Sequence, residues 1–119
     1  MFGFGNNKKD KAKKGTDDKI YYTIKIIGKM TNLDPTKLPN EVRDAILLRA
    51  LQNSGHTDNK YDFCANYMIA LAFVLHGMNQ RADSDKVLQA SISFVSNEKE
   101  NMTASIYDGC KLIFDKCNP

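Results

Sequence analysis

The fold is decided by residues 60–79, KYDFCANYMIALAFVLHGMN, in which apolar side chains recur at almost every position. Placed on a helix, the apolar residues of this stretch cover most of the circumference. A helix that is apolar nearly all round is typical of the centre of a core. Asn59 or Asp58 is its predicted N-terminal cap. We therefore expect the other elements to pack around it.

The segment 19–30 fits two patterns. An alternation typical of a strand is formed by Ile20, Tyr22, Ile24 and Ile26. A helical stripe is formed by Ile20, Ile24 and Ile27, extended by Tyr21 and Met30. A strand needs a pairing partner, and no other segment offers a clean one, so we predict a helix that starts at a Thr16 cap.

Three further helices follow from apolar spacing of three to four residues. The first runs from a cap at Asn40 to Asn53 and is closed by Ser54-Gly55. The second starts at Asp83-Ser84-Asp85. The third begins after Asn97 and contains Gly109, which we expect to permit close packing against a neighbour. Their predicted inward residues are Val42, Ile46, Leu47, Ala50, Leu51, Val87, Leu88, Ile92, Val95, Met102, Ile106, Cys110, Ile113 and Cys117.

These elements predict an all-α fold: a compact bundle of four to five helices, antiparallel or orthogonal because the connections are short. The helical domain is expected to cover residues 16–119. Residues 1–15 lack a sustained apolar period, so we expect a disordered basic N-terminal tail there. The domain shows no signature repeated at a fixed period, which does not favour a helical-repeat array.

The charge of the chain is divided between the tail and the domain. The chain has 17 Lys and Arg residues against 14 Asp and Glu residues. Five lysines and one aspartate lie in residues 1–15, which leaves 12 basic and 13 acidic residues for the domain. The excess of positive charge therefore belongs to the tail, and a domain that binds nucleic acid through its folded surface is not favoured.

Catalytic and metal-binding patterns find little support. The cluster His56, Asp58 and Asp62 matches no zinc or EF-hand spacing, and a capped loop explains it. Cys64 and His76 lie about 18 Å apart along one helix, too far to act as a nucleophile and its base. We therefore expect no enzyme activity, no metal and no cofactor. The three cysteines do not form a disulfide framework and are expected to be free thiols.

The tail and two neighbouring tyrosines are the candidate binding residues. Aromatic and basic side chains in this combination suit an anionic membrane surface or a nucleic acid. Tyr21 and Tyr22 lie about 100° apart on a helix, so one of them is expected on the surface. The candidate set is Phe2, Phe4, Lys8, Lys9, Lys11, Lys13, Lys14, Tyr21 and Tyr22.

The sequence observations favour two hypotheses for the function. The first is a small, soluble, regulatory module that binds another protein or a second copy of itself, as adaptor, inhibitor, immunity or regulatory protein. The second is a peripheral binder of an anionic membrane or a nucleic acid through the lysine tail. A cytoplasmic location is expected for either function, since no apolar segment follows the basic stretch and the longest apolar run is half a membrane span.

Removal of residues 1–15 tests the division into tail and domain. We expect the fragment 16–119 to keep its helical circular dichroism and a single cooperative urea transition, because the apolar stripes all lie downstream. A fragment that unfolds without cooperativity would contradict this division.

Overall fold

Five α-helices and two 3-10 turns form the chain in the computed structural model, which describes residues 3–55 and 58–117, with side chains from residue 15 onward. The elements are α1 (Gly3–Thr31), a 3-10 turn (Pro35–Lys37), α2 (Asn40–Asn53), α3 (Lys60–Gly77), α4 (Arg81–Glu98), a second 3-10 turn (Lys99–Asn101) and α5 (Ala104–Cys117). These residues contain no strand, and the predicted all-α, compact bundle is confirmed.

The centre of the bundle is α3, as predicted. It contacts α1, α2, α4 and α5, and every residue from Asp62 to Ala72 is buried. Asn59 caps it, because the Asn59 carboxamide oxygen accepts hydrogen bonds from the backbone N–H groups of Tyr61 and Asp62, at 2.9 and 3.1 Å. A helix so enclosed fixes where its four neighbours lie.

The ambiguous segment 19–30 is helical and belongs to α1. Its most buried positions are four residues apart and include polar side chains: Lys19, Thr23, Ile27 and Thr31. Ile20 and Ile24 of the predicted stripe are only partly buried. The helix ends at Thr31, whose hydroxyl donates to the carbonyl of Ile27 at 2.6 Å; Asn32 follows in the left-handed region, at φ 63°.

The predicted start of this helix at Thr16 is wrong, because α1 begins at Gly3. The lysines and Ala12 of residues 8–14 favour helix, against the glycines at positions 3, 5 and 15, and no proline occurs upstream to stop the helix. The tail side chains up to Lys14 lie outside the described residues. A helix without a sustained apolar stripe is marginal in water, and the disorder expected for residues 1–15 stays a prediction.

The second helix follows its prediction closely. It starts at Asn40, with Pro39 and not Asn40 as the cap residue, and ends at Asn53. Ile46 and Ala50 are fully buried. Gly55 closes it with φ 70°, a conformation that glycine adopts without strain.

The last two helices begin elsewhere than predicted. The fourth starts at Arg81, because Asn79 turns the chain at φ 66°, and the Ser84 hydroxyl donates to the carbonyl of Ala72 in α3, at 2.6 Å. The fifth starts only at Ala104, because α4 continues to Glu98 and a 3-10 turn follows. Within them, the side chains of Val87, Phe94, Val95, Cys110 and Phe114 are buried.

Gly109 does not permit a close helix contact, contrary to the prediction, because a Cβ added there meets no atom within 4 Å. We expect Gly109→Ala to raise the free energy of unfolding by about 0.5–1 kcal/mol, since alanine loses less backbone entropy in a helix. Urea denaturation measures this. The control is Gly55→Ala, which should destabilise because of its positive φ; a loss of stability in Gly109→Ala would contradict the open space.

Candidate functional site

The predicted binding residues fall into two groups. The side chains of Phe2, Phe4, Lys8, Lys9, Lys11, Lys13 and Lys14 lie outside the described residues. Tyr21 is 71% exposed, which confirms that one of the two tyrosines stays on the surface. Among the described side chains, no aromatic ring contact includes Tyr21.

Tyr22 is half-buried in a small aromatic cluster. Its ring packs edge-on against Tyr61, with 5.8 Å between centroids, and the Lys60 ammonium lies 4.6 Å from the Tyr22 centroid. Burial, and to a lesser extent the Cys64 thiol, raises the pKa of Tyr22 to about 12. These contacts join α1 to the start of α3, so Tyr22 serves the packing of the bundle.

The cysteines are free thiols, and two of them, Cys64 and Cys110, have raised thiol pKa values. Burial raises the pKa of Cys64 to about 12. Burial and the Asp62 carboxylate together raise the pKa of Cys110 to about 12. Because the thiolate is the nucleophile, neither side chain is activated at neutral pH. Their fully or almost fully buried positions make them members of the core.

Of the loop cluster His56, Asp58 and Asp62, the structure describes only the two aspartates. His56 lies outside the described residues, Asp58 is exposed, and Asp62 is fully buried. Among the described side chains, no three His, Cys, Asp or Glu residues converge for a metal ion. His76 lies exposed in the last turn of α3, where the prediction put it.

Asp62 instead joins the start of α3 to the start of α5. Its Oδ1 accepts the backbone N–H of Thr103, 3.0 Å away, just before α5 begins. Its Oδ2 is buried without a hydrogen-bond partner in the described chain. Asp62 lies in the first turn of α3 and at the entrance of α5, so two helix N-termini stabilise this carboxylate. Beside it, the Asn59 amide donates to the carbonyl of Asn101 at 2.8 Å.

An open groove lies on the side of α3 between α2 and α5. Its cavity measures about 410 Å³ and is lined mainly by apolar side chains. The lining residues are Ala45, Ile46, Arg49, Asn53, Ile69, Ala70, Phe73, Val74 and Ile113. Ile69 and Ala70 form a closed floor, at 2% and 4% exposure, whereas the Phe73 side chain is 46% exposed.

Sequence reasoning missed this groove. Phe73 belongs to the stretch expected to be enclosed on nearly all sides, yet its face of α3 is left open, whereas Leu75 two residues later is buried. Leu112, the neighbour of the groove residue Ile113, is 64% exposed. Arg49 is an exposed residue of α2 that no motif marks. The one signal available was that α3 carries more apolar residues than a single face needs.

In comparisons with known proteins, no family model, curated protein or solved structure matches this chain. Among the described helices, none is both long enough and apolar enough to pass through a lipid bilayer.

Replacement of Asp62 tests its role at the entrance of α5. Asp62→Ala removes the acceptor of the part-buried Thr103 N–H and leaves a gap at a fully buried position, so we expect a loss of about 1–3 kcal/mol in the free energy of unfolding. Asp62→Asn keeps an acceptor oxygen and should lose less. The matched control is Asp58→Ala, at an exposed position of the preceding loop; equal stability of Asp62→Ala and Asp58→Ala would contradict the role.

Proposed function

We propose that this protein is a non-enzymatic helical module that binds another protein through the groove between α2, α3 and α5. The observation that carries the proposal is the half-exposed Phe73 in an apolar cavity of about 410 Å³. Exposed aromatic residues over an apolar groove mark interaction surfaces, because covering them removes apolar area from water.

The cysteine chemistry supports a binding role over a catalytic one. The two buried thiols have pKa values raised to about 12, which opposes nucleophilic chemistry at neutral pH. An adaptor, inhibitor, immunity or regulatory role fits a module of this kind. The proposed location is the cytoplasm, where free thiols such as those of this chain persist.

A second candidate function rests on the charge of α1. This helix contains eight lysines and three aspartates, whereas the chain after Thr31 contains nine basic and eleven acidic residues. Exposed Lys25 and Lys29 continue the charge of the tail along the helix. Such a helix would attract an anionic membrane surface or a nucleic acid, and its binding would weaken steeply with salt.

Affinity capture with matched variants tests the first proposal. The baits are the wild-type protein, Phe73→Ala in the groove, and Leu48→Ala, a 56% exposed apolar residue of α2 outside the cavity lining. We expect the wild-type and Leu48→Ala baits each to retain one partner protein in stoichiometric amount at high salt. In titration calorimetry with that purified protein, Phe73→Ala should lose about tenfold or more in affinity, since central aromatic residues dominate such interfaces.

The same experiment with the fragment 16–119 separates the two functions. Capture by the full chain alone, and at low salt alone, would contradict the groove and support the lysine tail. Charge reversal at Lys8, Lys9, Lys13 and Lys14 should then abolish it. A partner that binds Phe73→Ala as tightly as the wild type would also contradict the groove.

A further inference from the structure

The cavity beside Phe73 is one part of a longer groove. A second cavity of about 250 Å³ shares Asn53 and Ile113 with it. In the Phe73 cavity α2 contributes residues from Ala45 to Asn53 and α5 contributes Ile113, whereas in the second cavity α5 contributes residues from Ser105 to Ile113 and α2 contributes Asn53. Each helix therefore lines its cavity over nine residues, or about 12 Å, which is slightly more than two helical turns.

The lining leaves room for a backbone to approach. Ala45 stands in the α2 wall, Ala70 in the floor and Gly109 in the α5 wall. The space beside Gly109 is open, because a Cβ placed there meets nothing within 4 Å. The α3 floor is apolar in the Phe73 cavity, at Ile69 and Ala70, and carries Asn66 in the second cavity. A groove of this kind suits an amphipathic helix, which inserts apolar residues spaced by three and four.

The charge of the groove indicates which charge a bound helix carries. Arg49 is the only charged residue that lines either cavity, and it is exposed. Its guanidinium forms no hydrogen bond or ion pair within the described chain, unlike that of Arg43, which donates to the carbonyl of Thr36. Beside an apolar floor, such a guanidinium favours a carboxylate, which it binds with two parallel hydrogen bonds, and repels a cation.

We propose that the groove between α2 and α5 binds an amphipathic helix of a partner protein whose apolar face carries an Asp or Glu that pairs with Arg49. This inference rests on the proposed function and specifies its partner. The apolar side chains of the helix cover Phe73 and Ile113, and the carboxylate sets its register along α2.

A displayed peptide library supplies the probe. Its members are amphipathic helices of about 20 residues, above the length at which isolated helices are marginal in water, with Glu, Gln or Lys at one position within the apolar face. We expect selection on the wild-type protein to enrich Glu over Gln and Lys. The affinity of the enriched peptides, measured by fluorescence anisotropy, should fall about tenfold or more on Arg49→Glu, and peptides with Lys should gain affinity.

Two more variants complete the design. Gly109→Leu fills the groove from the α5 wall, in space that the fold leaves open, and should abolish binding without loss of stability. Lys86→Glu makes the same charge change as Arg49→Glu at an exposed position of α4 outside both cavities, and should bind as the wild type does. Urea denaturation of each variant verifies that it is folded.

The inference is overturned if no helical peptide is enriched or if peptides with Glu are enriched no more than those with Gln or Lys. It is overturned as well if Arg49→Glu binds the enriched peptides with the affinity of the wild type. It is also overturned if sedimentation shows that a second copy of the chain occupies the groove, with dimerisation lost in Gly109→Leu. In these cases the proposed function survives when Phe73→Ala still loses its captured partner. If Phe73→Ala captures the partner as well as the wild type does, both proposals fail together.

Discussion

The enclosure of α3 is the constraint on which the structure depends. Eleven consecutive residues, Asp62 to Ala72, are buried, and only neighbours on several sides achieve this for a helix. Each large apolar side chain so buried contributes about 1.5–3 kcal/mol. The cost is that polar groups on α3 need partners inside the protein. The Asn66 amide donates to the carbonyl of Asp62 at 2.9 Å, and the carbonyl of Ala72 accepts the hydroxyl of Ser84.

Asp62 connects this enclosure to the last helix. A carboxylate in the first turn of α3 reaches the Thr103 N–H at the entrance of α5, so the N-termini of the two helices meet at one buried charge. Since α5 supplies Ile113 to the cavity of Phe73 and Gly109 to the neighbouring cavity, the same contact contributes to the position of both cavities.

The groove lies on one incompletely covered face of α3. The run of consecutive buried residues ends at Ala72, and Phe73 is left half-exposed between α2 and α5, whereas Leu75 on another face is buried again. An aromatic side chain in that position keeps apolar area in water that a partner would remove. The excess of lysine lies elsewhere, on α1, so the apolar and the basic surfaces are properties of different helices.

The sequence by itself determined the helical class, the central position of α3 and the Ser54-Gly55 end of α2, because apolar periodicity and turn residues act locally. It also resolved the segment 19–30, since no second strand existed to pair with it. Only the tertiary structure decided the starts of α4 and α5, the open space at Gly109 and the exposure of Phe73. Local patterns report which face of a helix is apolar. How far a neighbour extends over that face depends on contacts between residues distant in the chain, such as Asp62 with Thr103 and Ser84 with Ala72.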